Sequence, residues 1–253
     1  MGVELEERGM TAPLPTDEER RLSDLYEYRI LDTPDEKAFD DLVQVASALF
    51  DVPIAYISFI DRDRQWIKSR VGIQSREVPR QHSFCAHVVA DGEVLAVNDA
   101  SEDNRFADNP YVVGEPHIRF YLGAPLKTPR GRTIGTLCVV DTTPREVDQN
   151  KVAALRVLAH QVMTQLELRR ANRVLLEERE TFSTLFEAAP VPLMLVHDGL
   201  VERCNHTCVD LMVGRPDAEL RGRAVLDFLE RLPRDHNRPE ITTLTADGDE
   251  RIP

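Results

Sequence analysis

Cysteine is scarce in this chain: four residues among 253, too few for a disulfide scaffold at this length, so reduced thiols are expected. Positive charge is also in deficit. Lys and Arg number 31 against 44 Asp and Glu, and the net charge of -13 repels phosphate backbones, so no nucleic-acid partner is expected. Long apolar runs are missing. "VPLMLV" and "TLCVV" fall far short of the roughly 20 residues that span a bilayer, so no membrane span is expected either. The opening "MGVELEERGM" is acidic and lacks the apolar core of a secretory peptide, and the expected location is the cytoplasm. No P-loop, cyclase signature, hydrolase nucleophile elbow or glycine-rich ATP-binding segment occurs, so neither a catalytic residue nor a cofactor can be named.

The rest of the composition is that of a globular protein, 42% apolar and 30% charged, in a length that suits one large or two ordinary domains. Residues 1–21 read as a loose tail running into a short helix, "ERRLSDLYEY". From Asp35 to Phe50, Phe39, Leu42, Val43, Val45, Ala46, Leu49 and Phe50 recur at helical spacing. Pro53 opens "IAYISFID", a buried strand rich in β-branched and aromatic residues, and "RDRQ" turns into a second strand, "WIKSRVG". After the Asp91-Gly92 turn, "EVLAVND" is a short strand, and "ASEDNRFADNPYVVGEP" reads as an irregular, lid-like loop. "IRFYLGAPLK" and "TIGTLCVVD" form another hairpin across "TPRGR". A helix runs from Asp148 to about Glu187, free of glycine and proline. The fold class is α+β, an antiparallel sheet with helices packed beside it.

"HSFCAH" places His82, Cys85 and His87 within six positions. A zinc site needs about four ligands on a shared face. His82 and Cys85 have helical i, i+3 spacing, but His87 points elsewhere and no further Cys or His pair completes a set, so no metal site is assigned. Cys85 lies near the start of a short helix that Ser83 can cap, a setting that favours thiolate without specifying a catalyst. Cys138, mid-strand in "GTLCVV", reads as a small buried hydrophobe. Cys204 and Cys208 have i, i+4 spacing, but His206 falls on the other side of any helix, which again favours a buried pair over a metal site.

"LDTPDEKAFDDLVQVASALFDVPIAYISFIDRDRQWIKSRVG", "HSFCAH" and "FYLGAPLKTPRGRTIGTLCVVD" closely resemble bacterial GAF domains of the signalling type over residues 22–169. That resemblance implies a small-molecule sensing module with a six-stranded antiparallel sheet. It also implies a cavity between the sheet and the "HSFCAH" face, lined by Phe84, Cys85, His87, Phe106, Phe120 and Tyr121. "DNRFADNP" would close over it and bring Asp103, Arg105, Phe106 and Asn109 within reach. Because strand residues alternate, only one of Phe120 and Tyr121 can face the cavity directly. The bilin-binding cysteine of phytochromes has no counterpart, since Pro116 stands before His117, and the cyclic-nucleotide signature is missing. Residues 181–253 resemble the first part of a PAS domain, with "VPLMLVHDG" and "LVERCN" as strands and Asn205 at a helix start. On that resemblance the sequence reads as a fragment or a degenerate module.

In the helix over residues 148–187, Val152, Leu155, Ala159, Val162 and Leu166 follow a 3-4 spacing, the signature of a helix–helix seam. The phase shifts near Leu168, after which Ala171, Leu175, Phe182 and Leu185 continue it. About 60 Å of helix is more than one domain is expected to cover, so a parallel homodimer through Leu155, Val162, Leu166 and Leu175 is expected. The functional expectation is a sensory segment that binds an unknown small molecule and passes the change through helix and PAS unit to an output domain, a partner histidine kinase or a cyclase. Two alternatives stand beside it: a thiol redox enzyme using Cys85 and Cys138, and a ligand-free dimerisation module.

Overall fold

The computed structural model describes residues 11–211 and 221–224. The chain divides into two compact units, residues 1–171 and 172–253.

In the first unit, α1 (Glu18–Glu27) and α2 (Lys37–Phe50) precede a hairpin of β1 (Ile54–Ile60) and β2 (Arg64–Val71). The short edge strand β3 (Glu77–Pro79) leads through a 3-10 turn (Arg80–His82) into α3 (Phe84–Asp91) and β4 (Leu95–Val97). After α4 (Pro110–Val113) come β5 (Phe120–Lys127), β6 (Thr133–Asp141) and the 40-residue helix α5 (Gln149–Ala188). The six strands form one sheet in the order β3-β2-β1-β6-β5-β4, every neighbour antiparallel.

Both faces of this sheet are covered. Ala55, Ile57 and Phe59 of β1, with Leu137 and Val139 of β6, join Phe39, Val43 and Phe50 of α2 in one apolar core. The intervening residues Ile54, Tyr56 and Ile60, with Cys138 and Val140, join Phe84, Cys85 and Val88 of α3 in a second. Every residue of β1 and β6 is therefore buried, and period-two alternation of polarity is replaced by an almost continuous apolar run.

Ionic ties fasten the helical layer. The fully buried Lys68 ammonium donates to Thr33 Oγ1, Pro34 O and Glu36 Oε1 at 2.8, 2.6 and 2.6 Å, and burial lowers its pKa. Arg169 of α5 reaches the same Glu36 carboxylate at 3.1 Å. At the other end of the sheet, Glu18 accepts from Arg21 at 2.6 Å and from Arg80 at 2.5 Å, which pins α1 to the turn before α3. Burial would raise the Glu18 pKa, but these two guanidinium groups outweigh it and hold the carboxyl at about 2. The tail boundary expected at residue 21 cuts through α1, which begins at Glu18, one residue before the helix read from "ERRLSDLYEY". Arg21, at 1% exposure, is drawn in by Glu18 and the Ile60 carbonyl.

The seam expected on α5 is corrected in part. Leu155, Val162 and Leu166, with Ala159, are buried in the first unit's own core against the sheet-covering helices, so they are not available to a second chain. A 3-4 stripe is the same whether it meets a sheet or another helix, and here it meets the domain's own layer. From Leu168 the apolar side chains face outward as far as Leu185, and Leu168 and Leu175 are exposed.

In the second unit, β7 (Met194–His197) and β8 (Leu200–Cys204) form a hairpin followed by α6 (His206–Leu211). Asn205 starts α6: its Oδ1 accepts from Cys208 N and Leu193 N, and its Nδ2 donates to Val191 O. Cys204 and Cys208 are buried, whereas His206 is exposed. Residues 212–220 and 225–253 of the segment likened to a PAS domain, including "EITTLTADGDERIP", lie outside the described residues. Among the described residues no helix is long and apolar enough to cross a membrane.

Two consequences are measurable. Val162→Glu puts a carboxylate into the helix–sheet core and should destabilise the first unit by at least ~3 kcal/mol in urea unfolding. An unchanged unfolding midpoint would show that this face of α5 is not packed on the sheet. Glu18 has a folded pKa below its ordinary value of 4.5, so its stabilisation is complete above about pH 4.5 and drains away as the pH falls toward about 2. Glu18→Gln should therefore be less stable near neutrality and lose less than the wild type over that interval, as read from unfolding midpoints against pH.

Candidate functional site

A cavity of about 320 Å³ opens between the sheet and the segment that carries α3. Its floor is strand: Ile54 and Tyr56 of β1, Gln65 and Ile67 of β2, and Val140 of β6. One side is the loop of residues 72–75 with Val78 of β3, the other Tyr111, Glu115, Pro116 and Ile118. His82, Ser83 and Phe84 close the inner end. Gly72 makes the first wall achievable. Its φ is +79°, and a Cβ there would lie 2.0 Å from the Pro53 carbonyl oxygen, so only glycine lets β2 end and the chain fold back over the opening.

Ser83 organises the inner end. It is the N-cap of α3, its Oγ accepting from Ala86 N at 3.0 Å, and the same hydroxyl donates to Gln65 Oε1. The Gln65 amide, 2% exposed, is thereby left with a buried Nε2 that has no hydrogen-bond partner. His82 is similar: Gln81 Nε2 lies 3.1 Å from its Nε2, while its Nδ1 is buried and unpartnered. Among the described lining residues there is no Lys or Arg, and the one ionisable carboxyl, Glu115, is exposed.

Of the residues expected from sequence to line the cavity, only Phe84 does so. Phe120 sits on the opposite sheet face, in the core shared with α2 and α5. Tyr121 is on the correct face but points its hydroxyl to Cys85 Sγ, 3.3 Å away. His87 is buried edge-on against Phe106, their ring centroids 4.9 Å apart, and Phe106 stacks on Phe84 at 4.1 Å. Asp103 and Arg105 bond to each other at 2.6 and 2.9 Å. Asn109 caps α4 and donates to the His82 carbonyl at 3.0 Å. These loop residues hold the back of the site instead of facing into it. The motif's three candidate ligands diverge: His82 lines the cavity, Cys85 enters the core and His87 packs on the loop. The lining residues Gln65, Ile67 and Val78 were not anticipated; the period-two pattern of β2 was the signal that could have found the first two, and the three-residue strand β3 that carries Val78 gives none.

Cys85 and Cys138 lie with their sulfurs 3.9 Å apart, both fully buried, and neither lines the cavity. Burial opposes ionisation of Cys85, yet hydrogen bonds with Cys138, Ser58, Thr136 and Tyr121 favour its thiolate and draw its pKa below the ordinary thiol value. Burial and the neighbouring Cys85 push the Cys138 thiol well above its ordinary value, so Cys85 is the more acidic of a pair that titrates together. The Tyr56 hydroxyl stands 3.9 Å from Cys85 Sγ, on a residue that lines the cavity.

Residues 36–166 match the family model for the GAF domain. A cyclic di-GMP phosphodiesterase of Pseudomonas aeruginosa is 38% identical over 190 residues, covering 75% of this chain and 32% of that protein. The chain thus spans about a third of the length of this relative. Among solved structures, the GAF domain of an Acinetobacter phosphoenolpyruvate-protein phosphotransferase is 20% identical, covers 59% of this chain and 95% of that one, and superposes with a TM-score of 0.47. A free methionine-R-sulfoxide reductase from Neisseria meningitidis, solved with its substrate, is 18% identical, covers 64% and 99% of the two chains and has a TM-score of 0.47. With just over half of its length matched by the family model, and with the six-stranded antiparallel sheet and its flanking helices in place, the chain belongs to the GAF domain family.

Proposed function

We propose that this chain is the sensory part of a signal-transduction protein, binding a small molecule in the cavity of its GAF domain. The observation that carries the reading is the cavity itself. Its volume of about 320 Å³ is at the lower end of the range for small-molecule sites, its walls are mainly apolar, and a few polar groups converge at one end. The ligand-free alternative would call for those polar groups to be paired within the protein. The thiol-enzyme alternative gains a short sulfur separation but loses access, since both sulfurs are sealed away from the cavity.

The output in this reading is a cyclic-dinucleotide enzyme, the activity class named for the Pseudomonas aeruginosa relative. The second unit acts as a relay of PAS type, a reading supported by its β7–β8 hairpin and by Asn205 at the start of α6. A second copy of the chain is the partner of α5. Leu168, Leu175 and Phe182 are exposed at intervals of seven residues, with Leu185 three further on. Leu168, Leu175 and Phe182 thus share one heptad position, with Ala171 and Leu185 at the position three further on, the a and d spacing of a parallel coiled coil. An exposed helical stretch with no tertiary packing has little stability of its own, which favours a partner along this row.

The cavity is tested by native mass spectrometry of the full chain purified from cells. The wild type should carry a small-molecule mass that Val78→Trp, with an indole filling the wall, lacks while keeping its melting temperature. The same ligand load on both proteins would remove the cavity from sensing. For the helix, sedimentation should find the wild type dimeric and Leu175→Glu monomeric, because like charges would meet along the seam. A dimer unaffected by the substitution would place the interface elsewhere.

A further inference from the structure

Resting on the reading of the cavity as a ligand site, we propose that its occupant is a small uncharged molecule with an apolar body and a carbonyl oxygen, which the Gln65 amide and the His82 ring N–H recognise. The argument begins with proton positions. Ser83 Oγ accepts from the Ala86 amide, and its single proton is committed to Gln65 Oε1. The Gln65 carboxamide is thereby oriented with oxygen toward Ser83 and NH2 away from it, and that NH2 is buried without a partner. Gln81 Nε2 can only donate, so the His82 Nε2 that it faces at 3.1 Å is the accepting nitrogen. The ring proton of His82 is then on Nδ1, the second buried atom with no partner. Two residues that line the cavity, one on its floor and one at its inner end, each hold an N–H group with nothing to donate to.

An unsatisfied buried donor costs about 1–3 kcal/mol, and an acceptor arriving in the cavity relieves that cost. The charge of the acceptor follows from the walls. Ile54, Ile67, Val78, Phe84 and Ile118 provide a low-dielectric lining, and no Lys or Arg is among the described lining residues to neutralise a carboxylate. An ammonium group would face two N–H donors and leave both unpaired. A neutral ketone, ester or lactone oxygen satisfies both conditions. Size sets the last limit. A volume of about 320 Å³ equals roughly ten water molecules at ~30 Å³ each, enough for a molecule of on the order of ten non-hydrogen atoms. A cyclic dinucleotide is several times too large, so the molecule sensed is not the substrate of a cyclic-dinucleotide output.

Three probes matched in size separate the chemistries: 2-heptanone (neutral acceptor), hexanoate (anionic acceptor) and heptylamine (cationic donor). In ligand-observed NMR titrations of the full chain, 2-heptanone should bind at least about tenfold more tightly than the other two, the ratio that ~1.4 kcal/mol of hydrogen bonding confers. Gln65→Leu should erase that ratio, and Gln65→Glu, which exchanges the donor for an acceptor, should turn the preference toward heptylamine. Val78→Trp should abolish binding of 2-heptanone, which locates it in the cavity. The wild-type ranking decides the matter even if a Gln65 variant fails to fold. Equal binding of all three, or a lead for hexanoate or heptylamine, overturns the ligand class and leaves the cavity as a binding site. Binding of none of the three overturns the ligand class, while the small-molecule mass carried by the purified wild type decides the sensing reading separately.

Discussion

The strand pair β1–β6 is buried on both faces along its whole length, and the rest of the domain is arranged around that fact. A sheet wet on one side needs one covering layer; this one needs two. α1, α2 and the first half of α5 supply the first layer, and α3 with the loops around it supplies the second. The layers differ in completeness. Helices laid side by side close one face with apolar side chains and the Lys68–Glu36–Arg169 cluster. A single short helix and irregular chain cannot tile the other, and the cavity is the part left over.

The fold was legible because burial on both faces leaves runs such as "IAYISFID" and "TIGTLCVVD", which are hard to place anywhere except the middle of a sheet. The helix over 35–50 and the cap at Ser83 were equally readable from local signals. The site was not. "HSFCAH" drew attention through its chemistry-bearing residue types, yet Cys85 and His87 are used for packing, and the cavity belongs to Gln65, Ile67 and Val78 in segments that look bland. Which strand neighbour ends up unopposed depends on how the loop of residues 72–75 folds back, a tertiary matter set by Gly72 that no local pattern reports. Phe120 and Tyr121 show the same limit. Alternation separates the two, but only the assembled sheet says which face carries the cavity.

The long helix teaches a related point. Its apolar stripe over residues 152–166 has the spacing of a coiled coil and the burial of a domain core. The phase shift near Leu168 marks the place where the helix leaves the domain's own layer, not a second register of one continuous seam. Arg169, bonded to Glu36 and to the Tyr28 carbonyl, and Arg170, paired with Glu27 at 3.3 Å, tie the helix to its domain at that change. Glu36 is shared with Lys68 of β2, the strand whose other face lines the cavity, so one carboxylate connects the cavity floor to the helix.

The double use of the Ser83 hydroxyl has a consequence for how such a site can diversify. Alanine at this position would remove the start of α3 and release the Gln65 amide in a single step, so helix nucleation and selectivity cannot drift apart through it. Position 65 is different: it takes an order from Ser83 but gives none to the helix. Chemical preference in this scaffold is therefore free to wander at a strand residue while the residue that sets its orientation is held fixed by folding, a division of labour between a variable reader and an invariant foreman.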